Sequence, residues 1–171
     1  LVRYTIEEVK KSYQFDDLAS FLAVYYPALA VLQTEQDFYD LAYAYLLKQK
    51  IIMFVTLNYF LTQAHTSRGI SFETVINGFY RATQDAKSFG VDAQLIMCFL
   101  RDFSKESARQ TLLEAKKHRD KILGIGLDSD EHHNPPMKFA THFETPCLRD
   151  IILRCIVILT RLTRLIILSR H

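Results

Sequence analysis

The side chains in this 171-residue sequence that could do more than pack are its six histidines, three cysteines and nine tyrosines. His132, His133 and His142 stand close together, which invites comparison with a metal site. Metal ligands keep fixed turn or helix spacings, and none is matched here. The first two histidines sit in a polar turn before Pro135-Pro136, and His142 lies at a helix start, so solvent-exposed histidines are expected. His65 with Arg68 could hold a phosphate from a positioned loop. Gly124-Ile-Gly126 is too short for a glycine fingerprint that cradles a dinucleotide. Tyr39, Tyr43 and Tyr45 recur at helical spacing, which suits half-buried helix faces better than a base-stacking platform. Cys98, Cys147 and Cys155 form no Cys-x-x-Cys pair. An odd count without an export signal implies isolated thiols in a reducing, cytoplasmic compartment.

Composition narrows the partners. The chain is 49% hydrophobic and 23% charged, enough apolar material for a core, and one domain is the expectation. A net charge of +2, with acids interleaved among the bases up to residue 143, excludes a nucleic-acid surface. The sequence opens at Leu1 directly into charged, helix-like text, with no signal peptide and no initiator Met, and an incomplete amino end is expected.

The elements that must position any site are legible in outline. Residues 5 to 48 read as helical. Phe15, Leu18, Phe21, Leu22 and Tyr25 form one apolar stripe, and Thr34 with Asp37 caps a second helix carrying Phe38, Leu41, Ala42 and Tyr45. An apolar run at 51–57 suits a strand buried on both faces. Ser71 caps a helix ending near Ser88 and Gly90, Leu95–Leu100 is a second strand, Ser104 to His118 a helix and Lys121–Leu127 a third strand. Strands separated by helices predict a parallel α/β sheet, open or closed; three strands do not close a barrel of about eight.

Five blocks choose between those sheets. Phe15-Asp-Asp-Leu-Ala-Ser-Phe-Leu, Thr34-Glu-Gln-Asp-Phe-Tyr-Asp-Leu-Ala-Tyr, His65-Thr-Ser-Arg-Gly-Ile, Cys98-Phe-Leu-Arg-Asp and Gly124-Ile-Gly-Leu-Asp-Ser-Asp-Glu through Asn134-Pro-Pro-Met-Lys-Phe-Ala stand in this order. In order and spacing they resemble the middle of the adenosine/adenine deaminase family over roughly residues 1 to 143. The resemblance implies an incomplete (β/α)8 TIM barrel, the strands being its second to fourth. It also implies hydrolytic removal of the exocyclic amine of adenine or adenosine, with zinc as the parent family's metal and a purine base or nucleoside as its substrate. In that family the metal is held by a His-x-His pair, a further His and an Asp, and a Glu moves protons. This chain contains no His-x-His, no His-Ala-Gly-Glu and no late Ser-x-Asp-Asp, so no catalytic residue and no metal ligand is assigned, no zinc is expected to bind it, and the chain alone is expected to be inactive. The resemblance places Asp128 and Ser129, and Arg101 and Asp102 on the preceding strand, on the substrate side. Strand-end polar residues also cap helices or brace loops, and that reading stays open.

Two stretches depart from the family's pattern, 51–63 and everything after Phe143. Both are expected to be translations in a shifted reading frame, which divides the chain into a barrel part, 1–143, and an Ile/Leu/Arg-rich tail, 144–171. The alternative readings are a non-catalytic purine-binding or interaction remnant, and a membrane-surface protein using the tail as a basic amphipathic helix with Arg154, Arg161 and Arg164 on one side. Three arginines argue against a spanning helix. Oligomeric state is not encoded legibly.

Overall fold

The computed structural model describes residues 5, 7–8, 14–49, 54–59, 62–130, 133–143 and 152–153. Two helices lead. α1, Leu18–Ala28, begins where the Asp17 side chain accepts from Ser20 N and the Ser20 hydroxyl closes the box on Asp17. α2, Glu35–Lys48, begins with the same reciprocal cap, Thr34 against Asp37. The two helices expected here are thus each capped, and a short 3-10 turn, Leu29–Val31, joins them.

From there the chain alternates strand and helix. β1, Phe54–Tyr59, is followed by the short α3, Thr62–Thr66, and then α4, Phe72–Ala86, capped by the Ser71 hydroxyl accepting from Thr74 N. A 3-10 turn, Lys87–Phe89, closes α4 and ends on Gly90 at φ 83°, a left-handed position where glycine has no side chain to clash. β2, Asp92–Leu100, α5, Lys105–Lys117, and β3, Gly124–Asp128, continue the alternation, with Ser104 capping α5. The short α6, Ala140–Phe143, and the two-residue β4, Ile152–Leu153, complete the described elements. β4 lies where no strand was expected; the rest of the 144–171 tail, with Cys147, Cys155 and its arginines, lies outside the described residues.

All four strands are parallel and stand in chain order, β1-β2-β3-β4. That order decides the sheet type: a doubly wound sheet reverses direction at a switch point, whereas a barrel lays each new strand beside the last. The structure is therefore a segment of a (β/α)8 barrel wall. β2 is paired on both sides, and from Leu95 onward all its residues are buried. Such a strand has to be apolar throughout rather than alternating.

One face of the sheet carries the helix layer. Leu95, Met97, Phe99, Ile125 and Leu127 form a core with Val75, Ile76 and Phe79 of α4 and Ala108, Leu112 and Ala115 of α5. By strand alternation Ile96, Cys98 and Leu100 face the other way, in register with Gly124, Gly126 and Asp128. α2 packs across α4 at a contact so close that a Cβ on Gly78 would lie 2.5 Å from the Glu35 carbonyl oxygen and 2.7 Å from Phe38 Cβ. Arg81 of α4 brackets the crossing. It donates to Glu35 Oε1 at 2.7 Å and lies over the Tyr39 ring, while the Tyr39 hydroxyl donates to Asp85 Oδ2 at 2.8 Å.

Candidate functional site

The C-terminal ends of parallel strands are where this architecture builds its sites, because the loops that follow are free to vary while the sheet holds them in place. The ends of β2 and β3 are joined there by the backbone: Arg101 N donates to the Asp128 carbonyl oxygen at 2.8 Å. The Asp128 side chain is 2% exposed. Its Oδ1 accepts from Ser129 N at 2.6 Å, and its Oδ2 is buried with no hydrogen-bond partner among the described residues. Burial pushes this carboxyl up to about 7, against the hydrogen bond from Ser129 and the charge of Arg101, which favour ionisation, while nearby Asp102 adds to the rise. A buried carboxyl with one satisfied oxygen and one unpartnered oxygen has the capacity to donate a proton to a nitrogen or accept a hydrogen bond from an amine.

Ser129 adopts φ 72°, a left-handed conformation uncommon for a residue with a side chain. Its hydroxyl accepts a 2.8 Å hydrogen bond from Tyr26 of α1, which brings the first described helix over the end of β3. Burial holds the Tyr26 phenol protonated far above its ordinary range, with the carboxylates of Asp102 and Asp128 adding to the effect. Arg101 is buried and its Nη1 donates to the Asn134 carbonyl oxygen at 3.3 Å, while Lys138 donates to the Arg101 carbonyl oxygen and to Asn134 Oδ1. Arg101 thus braces the loop after β3. Asp102 is exposed beside it. Of the four residues expected on the substrate side, Asp128 and Ser129 sit together, Arg101 supports them from below, and Asp102 contributes charge. Tyr26 was not anticipated; its only signal in the sequence is a polar ring on an otherwise apolar helix face.

The histidines fall differently from expectation. His142 is buried rather than exposed, with Nε2 3.0 Å from the Lys105 carbonyl oxygen and its ring edge-on to Phe99. His133 is exposed, and His132 lies outside the described residues. His65 is fully buried, edge-on to Phe38 at 4.8 Å, with Nδ1 against Arg68 and Nε2 without a partner among the described residues. Burial, then the Arg68 charge, push it down to about 4, so the ring is neutral at pH 7. A neutral, sealed imidazole cannot help Arg68 hold a phosphate, and Arg68 instead donates to the Leu32 carbonyl oxygen. No group of three or more His, Cys, Asp and Glu able to hold a metal gathers among the described residues. Among those residues no helix is long and apolar enough to cross a membrane. Tyr39 and Tyr43 are stacked and half-buried, as helix-face tyrosines should be, whereas Tyr45 is 46% exposed.

The chain is similar to known proteins over most of its length. The family described as adenosine deaminase matches residues 2–153. An uncharacterized deaminase of Schizosaccharomyces pombe is 50% identical over 147 residues, covering 84% of this chain and 43% of its own length. The adenine deaminase of Vibrio parahaemolyticus is 50% identical over 139 residues, covering 80% of this chain and 41% of its own. The crystal structure of an adenine deaminase from Arthrobacter aurescens superposes with a TM-score of 0.80 at 40% identity, over 90% of this chain and 47% of that one. An amidohydrolase from Burkholderia ambifaria with bound Zn shares the fold, with a TM-score of 0.76 at 22% identity, over 87% of this chain and 43% of that one. The chain spans less than half the length of these relatives.

Proposed function

The chain belongs to the adenosine deaminase family, and from that premise we propose that it forms one wall of the substrate pocket of a hydrolytic purine deaminase, with adenine as the substrate. The observation that carries this reading is the buried Oδ2 of Asp128, without a hydrogen-bond partner among the described residues, at the C-terminal end of β3. A purine edge offers ring nitrogens that accept and an exocyclic amine that donates. A carboxyl balanced near neutrality can meet either need, donating from its protonated form and accepting from its ionised one. Ser129 turns the backbone at the same point, and Arg101 keeps the loop after β3 in place. Adenine rather than adenosine is supported by the names of relatives that are 50% identical to this chain over 139 and 144 residues.

Zinc belongs to the proposed parent enzyme, a reading supported by the metal in a fold relative. Its ligands and the proton-transfer Glu would come from barrel strands other than β1 to β3, so the 171 residues by themselves bind the purine without hydrolysing it. Calorimetric titration of the purified chain with adenine and with adenosine tests this. Adenine should bind, Asp128→Asn should weaken it by about tenfold or more, and no ammonia should be released with or without added zinc. Equal adenine affinity in the Asp128→Asn variant would remove Asp128 from the pocket.

A further inference from the structure

Ser129 is held in the left-handed region at φ 72° by three hydrogen bonds that meet at one turn: Ser129 N to Asp128 Oδ1 at 2.6 Å, Arg101 N to the Asp128 carbonyl oxygen at 2.8 Å, and the Tyr26 hydroxyl to Ser129 Oγ at 2.8 Å. A non-glycine residue keeps such a conformation only where its surroundings over-determine it. Two of the three bonds are local to the strand ends. The third reaches across 103 residues from α1 and is the one that grips the Ser129 side chain. With Tyr26 in place, the Ser129 N–H turns back onto Oδ1, and the other carboxyl oxygen, buried and unpartnered among the described residues, is the one left for a ligand.

We infer that Tyr26 is a positioning residue of the purine pocket: its hydroxyl latches α1 to Ser129 and thereby fixes which oxygen of Asp128 is presented to the base. The inference rests on the proposed role of Asp128 for its function, but the latch itself is a property of the free chain. Tyr26 keeps its ring against the rim, so Tyr26→Phe removes the bond without opening the site to water. Ser129→Ala removes the same bond from the other side.

The experiment pairs two readouts on the 171-residue chain, adenine affinity by calorimetry and the Asp128 carboxyl titration by carbon-13 NMR, in the wild type, Tyr26→Phe, Ser129→Ala, the double variant and Asp128→Asn. Among the described residues, Arg101, Asp102 and Tyr26 are the charged or titratable groups that act on this carboxyl. Releasing Ser129 weakens the bond its N–H gives to the ionised form, so Tyr26→Phe should move the titration upward by roughly half a pH unit. Simple loosening would admit water and move it down. Adenine affinity should fall by about threefold to tenfold in each single variant and by no more in the double, because both remove one interaction. An Asp128 titration that is unmoved or moves down in Tyr26→Phe overturns the latch. If the titration moves up but adenine does not bind, or binds Asp128→Asn as well as the wild type, the latch stands and the purine reading fails. Additive losses in the double variant would also overturn it.

Discussion

His65 and Asp128 are both buried, both titratable and both left with one polar atom unpartnered among the described residues, yet their surroundings differ, His65 lying in the segment after β1 and Asp128 at the end of β3. His65 sits under the helix layer, against Phe38 where α2 crosses α4, and burial has driven it to its neutral form. Asp128 sits at the rim of the sheet, and burial has driven it toward its neutral form from the other direction. The same desolvation therefore lowers a base and raises an acid. What separates the two is the company they keep. His65 packs against the aromatic ring of Phe38, whereas the rim is built from hydrogen bonds that leave one buried oxygen unpartnered among the described residues.

The sharpest way to test the difference is to damage the closed side. Phe38 is fully buried, in contact with His65 and Phe79. Phe38→Ala should cost about 3 to 5 kcal/mol in urea unfolding, and a loss of under ~1 kcal/mol would show that the crossing is not close-packed.

The next effect separates the two regions by pH. His65 titrates at about 4 in the folded chain against an ordinary 6.5, so between those values the unfolded chain binds more protons and stability rises with pH. Asp128 titrates at about 7 against an ordinary 3.8, so the folded chain holds the proton and stability falls as pH rises from about 4 to about 7. The two slopes oppose each other over the shared window. Asp128→Asn should expose a rising profile and His65→Gln a falling one, each of order 2 to 4 kcal/mol across the window by urea unfolding at stepped pH. Identical profiles in both variants would erase the distinction.

The smallest effect probes how tight the crossing is. A Cβ at position 78 meets backbone of α2 as well as Phe38, and backbone cannot swing aside. Gly78→Ala should cost about 1 to 3 kcal/mol despite the better helix propensity of alanine. A stabilised variant in thermal unfolding would mean the helices stand farther apart.

Much of the frame could be read from local chemistry. Thr34, Ser71 and Ser104 announce helix starts because a hydroxyl three residues ahead of a free N–H can satisfy it whatever the rest of the chain does. The apolar runs of β2 and β3 announce buried strands for the same local reason. β4 was not legible, since two residues in an Ile- and Leu-rich stretch carry no period. The apolar stripe of α1, Phe15, Leu18, Phe21, Leu22 and Tyr25, is half-buried, with Phe21 stacked on Tyr25 at 5.3 Å. Amphipathic spacing shows that a helix has an apolar face and not how completely that face is covered.

For the site, the sequence by itself determined the family blocks and put Arg101, Asp102, Asp128 and Ser129 at strand ends, because strand length and turn residues are local properties. The burial of His65 and His142, the buried, unpartnered oxygen of Asp128 and the bond from Tyr26 to Ser129 were decided only by the tertiary structure. Each depends on groups many residues apart meeting in a place without water, and desolvation is a property of that place rather than of any stretch of chain.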